Sequence, residues 1–326
     1  MYNFEYLNPT SLEEVSEVLA HSDGETVLLA GGTDLLDRLK EHLLRPRQVV
    51  NLKNVRELYT IERNEGLTIG ALVTIADLAA DAYIQENYPA LSQAARSIAT
   101  PQIRNMGTVG GNLAQRPRCW YFRGVEYRCL KKGGRKCYAV EGLNKYHAIM
   151  GGGPCYIVHP SDLAPVLIAY GARVTISGAN GTREIPLEQF FQLPAKDLKK
   201  ENVLNENEMI TRITLPPQPE NTYSLYLKFK ELESHDFAVV SVAVVLHTRK
   251  KRITDASLVL GGVAPIPWKI PEAGALLKGK ELTEPAIQAV AEQSVKGSDP
   301  LPQNGYKVHL TRNLVRRALT EIQQQL

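Results

Sequence analysis

The feature that most constrains this chain is an aliphatic run that ends in a glycine pair and passes straight into a helical pattern. Val27-Leu28-Leu29-Ala30 reads as a short buried strand, Gly31-Gly32 as a turn and Thr33 to Lys40 as a helix, with a second strand at Val49-Val50-Asn51-Leu52. Strand, helix and strand in that order require a crossover, so the two strands are expected to pair in parallel. Upstream, Ser11 followed by Glu14 forms a capping box, with Leu12, Val15, Val18 and Leu19 at helical spacing behind it. The chain therefore opens as a small α/β unit.

The glycine pair sits where a phosphate would bind. Two glycines permit close backbone approach, the following helix N-terminus offers unpaired amides, and Thr33 adds a hydroxyl donor. A plain tight turn accounts for the same residues. The three-glycine dinucleotide spacing is absent, which disfavours a Rossmann nicotinamide site. Asp34 would repel a diphosphate that it faced, so its carboxylate either caps the helix or points away. A second loop, Gly107-Thr108-Val109-Gly110-Gly111-Asn112, again sets a glycine pair beside hydroxyl and amide side chains. Two such loops suggest a long ligand held at a central diphosphate from both sides, and two unrelated turns are the alternative. Further on, Asp162 precedes the apolar run Leu163 to Ala169, where it could bind ribose hydroxyls, cap a helix, or do both.

From Leu67-Thr68-Ile69-Gly70 to Pro217, strands alternate with helical stretches such as Ala90 to Ala99, and Arg173 to Ser177 alternates before the turn Gly178-Ala179-Asn180-Gly181. Pro216-Pro217-Gln218-Pro219 reads as a linker. Two strands, Phe237 to Leu246 and Ile253 to Leu260, and two helices, about Pro285 to Ser294 and Val308 to Gln324, then form a separate α+β unit. The net charge of +3 over 326 residues gives no global argument for nucleic acid or membrane. No apolar run approaches the roughly 20 residues of a membrane helix, and the first residues lack a signal-peptide pattern, so a cytoplasmic location is expected.

All four cysteines fall in one short stretch: Cys119, Cys129, Cys137 and Cys155, among aromatic residues, Gly133-Gly134 and Gly151-Gly152-Gly153. Four thiolates can hold tetrahedral zinc or a 4Fe-4S cluster, and the glycines would let the loop wrap closely. The spacing does not separate the two, because no pair shows the two-residue separation of zinc ribbons or bacterial ferredoxins; four unligated thiols are a third reading. Arg116, Arg118, Arg123, Arg128, Lys131, Lys132, Arg135 and Lys136 crowd the same loop. They read as a solvated face, as cations that stabilise an anionic cluster, or as a face toward an acidic partner or a coenzyme A phosphate. Because the charge is local, nucleic-acid binding is disfavoured.

Ala30-Gly31-Gly32-Thr33, Thr108-Val109-Gly110-Gly111-Asn112 and Ser161-Asp162, in that order, resemble the FAD-binding subunits of the molybdenum hydroxylases, a family that includes carbon monoxide dehydrogenase, xanthine dehydrogenase and 4-hydroxybenzoyl-CoA reductase. The resemblance spans essentially the whole chain. It implies an α+β fold: a two-subdomain FAD-binding domain of the PCMH type over 1–217, with subdomains of about 1–57 and 58–217 and an insert at about 116–156, then a C-terminal α+β domain of the carbon monoxide dehydrogenase flavoprotein type over 218–326. By the same resemblance, Leu28, Leu29, Ala30, Gly31, Gly32, Thr33, Asp34 and Leu35, with Thr108, Val109, Gly110, Gly111 and Asn112, would cradle the FAD diphosphate. Ile98 would touch the flavin region, Asp162 would bind on the adenosine side, and Ile210 and Lys230 would contribute from the edge of the C-terminal domain.

The stretch from Cys119-Trp120-Tyr121-Phe122-Arg123 through Asn144-Lys145-Tyr146-His147-Ala148-Ile149 is similar to the 4Fe-4S insert of the 4-hydroxybenzoyl-CoA reductase β subunit and of some aldehyde oxidoreductase flavin subunits. That likeness selects a 4Fe-4S cluster on Cys119, Cys129, Cys137 and Cys155 over zinc. No nucleophile and base stand out, as suits a subunit whose substrate site lies on another chain. The implied protein is an oxidoreductase subunit carrying FAD and the cluster, with a molybdopterin-binding large subunit and a small 2Fe-2S subunit as partners in a dimer of heterotrimers. Electrons would pass from ferredoxin or another carrier through 4Fe-4S and FAD toward molybdenum. The alternatives are an aldehyde or xanthine oxidoreductase subunit passing electrons outward, and a zinc-stabilised nucleic-acid-binding or scaffold module.

Overall fold

A computed structural model describes residues 1–22, 24–233 and 235–326. The N-terminal unit contains β1 (Glu5–Leu7), α1 (Leu12–Ala20), β2 (Thr26–Leu29), α2 (Leu35–Lys40) and β3 (Gln48–Asn51). Its strands lie in the order β1-β3-β2 and both pairings are parallel, as the crossover pattern requires. The Ser11 hydroxyl accepts from the Glu14 amide at 3.2 Å, and the Glu14 carboxylate takes the Thr10 amide at 2.7 Å, so the reciprocal cap reaches one residue further upstream than the sequence pattern suggests.

The middle unit contains β4 (Ile61–Glu62), β5 (Leu67–Gly70), α3 (Ile75–Ala80), α4 (Ala82–Asn87), α5 (Pro89–Ser97), α6 (Pro101–Met106), α7 (Val109–Ala114), α8 (Trp120–Arg123), α9 (Leu163–Ala169), β6 (Arg173–Gly178), β7 (Gly181–Pro186) and β8 (Glu208–Leu215). Its five-stranded sheet runs β4-β5-β8-β6-β7, every neighbouring pair antiparallel. The sheet is antiparallel throughout: β4–β5 and β6–β7 join consecutive strands, and β8 lies between β5 and β6 to close it.

The last unit holds β9 (Thr222–Phe229), β10 (Val240–Arg249), β11 (Arg252–Gly261), β12 (Trp268–Lys269), α10 (Pro271–Leu277), α11 (Glu284–Gln293) and α12 (Tyr306–Gln323). Its sheet, β12-β11-β10-β9, is buried on both faces. Ala243 and Val245 of β10 join the core shared with α5 and α9, while Val240, Val242, Val244 and Leu246 face a second core built with α10, α11 and α12. A strand that alternates between two cores reads as a continuous apolar run, which is how Val240 to Leu246 reads. Ile149 and Met150 of the cysteine stretch belong to the second core, so that stretch is anchored to the C-terminal unit and does not hang free.

Candidate functional site

The two glycine loops meet. A Cβ on Gly31 would come within 1.7 Å of the Met106 carbonyl oxygen, so only glycine lets the end of β2 lie against the start of the second loop. Gly32 takes φ +77°, which turns the chain into α2. No hydrogen-bond partner for the Gly32, Thr33 and Asp34 amides is present among the described residues. In α7 the Thr108 hydroxyl caps Gly111, while the Val109 and Gly110 amides are used by the carbonyls of Val73 and Ala71 at 3.0 and 2.9 Å. The second loop therefore presents Thr108, Gly111 and Asn112 to the ligand side, and Val109 and Gly110 fasten it to the middle unit.

A groove of about 660 Å³ runs along this seam. Leu28, Ala30, Gly31, Gly32, Thr33, Asp34, Leu35, Ile98, Thr108, Gly111, Asn112 and Asp162 line it, so three sequence motifs spread over more than a hundred residues converge there. Leu29, Val109 and Gly110 lie behind the wall. Ile210 does not reach the groove: it is buried on β8 opposite Ile176. Lys230 follows the end of β9 and its ammonium bonds the Glu233 carbonyl at 3.0 Å on the surface. The lysine in the groove is Lys228, two residues earlier, where the two-residue period of β9 puts it on the same inward face as Tyr226.

Asp162 does not cap its helix. Ser161 does, accepting the Ala164 amide at 3.0 Å and donating to the Asn112 side chain at 2.5 Å. The Asp162 carboxylate instead accepts from the Tyr226 hydroxyl at 2.6 Å and pairs with Lys228 at 2.8 Å, with side-chain exposures of 6% and 4%. Burial and the carboxylate together push the Tyr226 phenol far above its ordinary value, so it remains a donor. Lys228 also bonds the Ser97 carbonyl at 3.2 Å. Beside it, Ala99 adopts φ +42°, rare for a residue with a side chain, and Arg104 holds the Ile98 and Ala99 carbonyls at 2.7 and 3.1 Å. Ala99, Arg104 and Lys228 gave no motif signal. Only the alternation along β9 could have found Lys228.

Asp34 lines the groove, but its carboxylate is taken up by the start of the cysteine stretch. Its carboxylate accepts the Arg116 amide at 3.1 Å and the Arg118 and Arg123 guanidiniums at 2.5 Å each. Although burial opposes ionisation, these two arginines hold the carboxyl below its usual range.

The four cysteines line one small pocket with Tyr121, Phe122, Lys131, Tyr138 and His147. Among the described residues, no three His, Cys, Asp or Glu side chains are gathered closely enough to hold one metal ion, so the thiols share a pocket without forming a tight ligand set. Burial pushes the Cys119 thiol up to about 11, and His147 Nε2 lies 3.3 Å from its sulfur. Cys137 is drawn down to about 6 by its hydrogen bond with Cys155, whose own thiol is raised by the same contact. A second cavity, of about 280 Å³, has Cys119, Trp120 and His147 on one side and Pro160, Asp162 and Phe237 on the other. It shares wall residues with both the groove and the cysteine pocket and thus lies between them.

Residues 2–218 match the family model of the FAD binding domain in molybdopterin dehydrogenase, and residues 225–322 match that of the CO dehydrogenase flavoprotein C-terminal domain. The chain is 36% identical over 304 residues to the aldehyde oxidoreductase FAD-binding subunit PaoB of Escherichia coli (strain K12), covering 91% of each chain. It is 29% identical to the carbon monoxide dehydrogenase medium chain of Hydrogenophaga pseudoflava, covering 97% of this chain and 96% of that one. Among solved structures, a carbon monoxide dehydrogenase from Hydrogenophaga pseudoflava that lacks the Mo-pyranopterin moiety of its cofactor superposes with a TM-score of 0.79 at 27% identity, over 99% of this chain and 98% of that chain.

Proposed function

This chain belongs to the FAD-binding domain family of the molybdopterin dehydrogenases, the flavin subunits of multi-subunit molybdenum hydroxylases, and on that premise we propose that it joins its flavin to a 4Fe-4S cluster of its own. It is an oxidoreductase subunit, and the substrate site lies on a partner subunit. Residues 1–217 form the FAD-binding part, with the cysteine insert at about 116–156, and residues 218–326 the C-terminal flavoprotein domain. FAD, when bound, accepts two electrons together and releases them singly. Thr33, Thr108, Gly111 and Asn112, with the free amides beside Gly32, would hold its diphosphate.

The observation that carries the proposal is the cavity between Cys119 and Asp162, since a flavin exchanging electrons with a centre on the cysteines needs its ring at that end. This reverses the polarity implied by the resemblance, with Asp162 and Lys228 at the ring and not at the adenosine. The donor set suits a cluster: four thiols in one pocket, Cys137 already drawn toward thiolate, and a buried lysine, Lys131, in the same wall. The insert supports a 4-hydroxybenzoyl-CoA reductase-like enzyme, in which ferredoxin supplies electrons that pass through 4Fe-4S, FAD and 2Fe-2S to molybdenum for reductive dehydroxylation of an aromatic CoA thioester. The assembly would be a dimer of heterotrimers with a molybdopterin-binding large subunit and a small 2Fe-2S subunit.

A second reading is favoured by the 36% identity to an aldehyde oxidoreductase subunit: electrons would run outward from an aldehyde. Two measurements on the anaerobically purified complex separate these. Iron and acid-labile sulfide beyond what the 2Fe-2S subunit accounts for support the cluster, and zinc in their place refutes it. Turnover of an aromatic CoA thioester with reduced ferredoxin supports the reductase, whereas flavin reduction by aldehyde alone supports the second reading.

A further inference from the structure

Two sets of ion pairs, linked through the Arg116 backbone, run from the first glycine loop to the wall of the cysteine pocket. They begin at Asp34, which accepts from Arg118 and Arg123 at 2.5 Å each. Both guanidiniums also donate to the Arg116 carbonyl, at 2.7 and 3.2 Å. The Arg116 side chain turns the other way and pairs with Glu201 at 2.5 Å, and the second Glu201 oxygen pairs with Lys131 at 2.6 Å. Glu201 is 3% exposed and the Lys131 side chain 1%. Lys131 lines the same pocket as the four cysteines.

Glu201 thus serves two sites while touching neither. It comes from the loop between β7 and β8, which is secured to Gln192 through backbone hydrogen bonding at 3.0 Å and is far in sequence from both the glycine loop and the insert. A carboxylate this deeply buried is retained only where both its cations are in place, because a lone buried charge is strongly unfavourable. Its two oxygens therefore balance the charges of Arg116, whose amide meets Asp34, and of Lys131 on the cysteine side, while the hydrogen bonds of the two cations go to the Lys199 and Leu198 carbonyls of the same loop at 2.8 Å each. Groups linked within one ionic network are energetically coupled, whereas groups that share no partner are not.

We propose that Glu201 is a positioning residue that joins the FAD groove to the cysteine cage through Lys131, so that breaking the link at Lys131 or Glu201, and not the loss of a thiol, is felt as a loss of FAD affinity. The proposal rests on the reading of the groove as the FAD site and of the thiols as a metal cage, but the network consists of this chain's own residues and can be tested separately from what metal the cage holds. It assigns Asp34 the anchoring end and Lys131 the cage end. Lys131 does not line the groove, so any effect of its replacement on FAD must be transmitted.

The test is a double-mutant cycle on the full chain, with FAD affinity measured by flavin fluorescence titration after removal of bound flavin, and with iron and sulfide measured on each sample. Lys131→Met weakens FAD by at least about fivefold, Glu201→Gln does so by a similar factor, and the double variant is no weaker than the worse single variant, because both break one link. Glu201→Asp, which keeps the charge, recovers part of the affinity, a result that loss of packing alone does not give. Circular dichroism and Tm confirm that each variant is folded. FAD affinity unchanged in Lys131→Met, or single effects that multiply in the double variant, overturns the proposal. Absence of iron and sulfide in the parent chain instead overturns the cluster reading and leaves the affinity cycle fully interpretable. Absence of FAD binding in the parent chain overturns both.

Discussion

Replacing Lys228 by Met tests the assignment of the groove lysine directly. The Lys228 ammonium and the Asp162 carboxylate face each other at 2.8 Å with 4% and 6% of their side chains exposed, and among the described residues the only other donor on that carboxylate is the Tyr226 hydroxyl. Removing the cation leaves a buried carboxylate with one hydrogen bond, a change that typically costs about 3–5 kcal/mol. Methionine fills nearly the same volume, so the loss is electrostatic and not a cavity. At about 2–4 °C per kcal/mol for a domain of 150–250 residues, the Tm should fall by about 6–20 °C. Differential scanning calorimetry on the flavin-free chain reads this. Lys230→Met, on the surface, should move the Tm by less than about 2 °C. The double variant Lys228→Met/Asp162→Asn should regain more than half of the loss, because no buried charge is then left unpaired. A Tm drop in Lys228→Met no larger than that in Lys230→Met, or a double variant worse than Lys228→Met alone, would refute the assignment.

Three further outcomes are expected. Gly31→Ala should fold yet lose FAD, because its Cβ would lie 1.7 Å from the Met106 carbonyl and the two loops must part; Gly305→Ala, with nothing within 4 Å, is the control, and equal FAD content in the two would be against the seam. Cys119→Ser or Cys155→Ser should abolish the broad visible absorption of a cluster while FAD stays bound, and loss of FAD with that absorption intact would mean that the two sites are misassigned. Burial holds His147 down to about 4 and His159 down to about 3, both from 6.5, so the unfolded chain binds their protons first. Stability should therefore fall as the pH drops from about 6.5 toward about 4, by up to about 1.4 kcal/mol per pH unit for each histidine. Urea midpoints of the parent chain and His159→Gln should converge over that window, and a constant difference would argue against a buried neutral His159.

The sequence carried the first α/β unit, both glycine loops and the grouping of the cysteines, because each is written in local residues: a turn needs its glycines in order, and thiols that share a pocket lie in one insert. Ala30 to Asp34, Thr108, Gly111, Asn112 and Asp162 were legible on those terms and Ile98 only through the resemblance, and the groove brings them together. What was not legible depends on the direction in which a side chain leaves a strand or a cap. Lys230 was favoured over Lys228 although β9 ends at Phe229, so that Lys228 still lies on the strand with Tyr226 and Lys230 lies beyond it, and Ile210 was expected at the groove although β8 buries it. Asp162 read as a ribose ligand, a cap or both because it precedes a helix, yet the cap is Ser161, and the carboxylate meets Tyr226 and Lys228 more than sixty residues away. Asp34 turns out to do for the insert what Asp162 does for β9: each stands beside a cofactor motif and spends its charge on a distant element. Carboxylates next to a phosphate-binding loop cannot profitably face the phosphate, so they are available as struts. Cations of the insert that read as a solvated face are in part the other ends of those struts, with Lys131 fully inside and Arg116, Arg118 and Arg123 largely so. A lysine-rich and arginine-rich loop is thus explained as much by the acids it must meet within the fold as by any partner outside it.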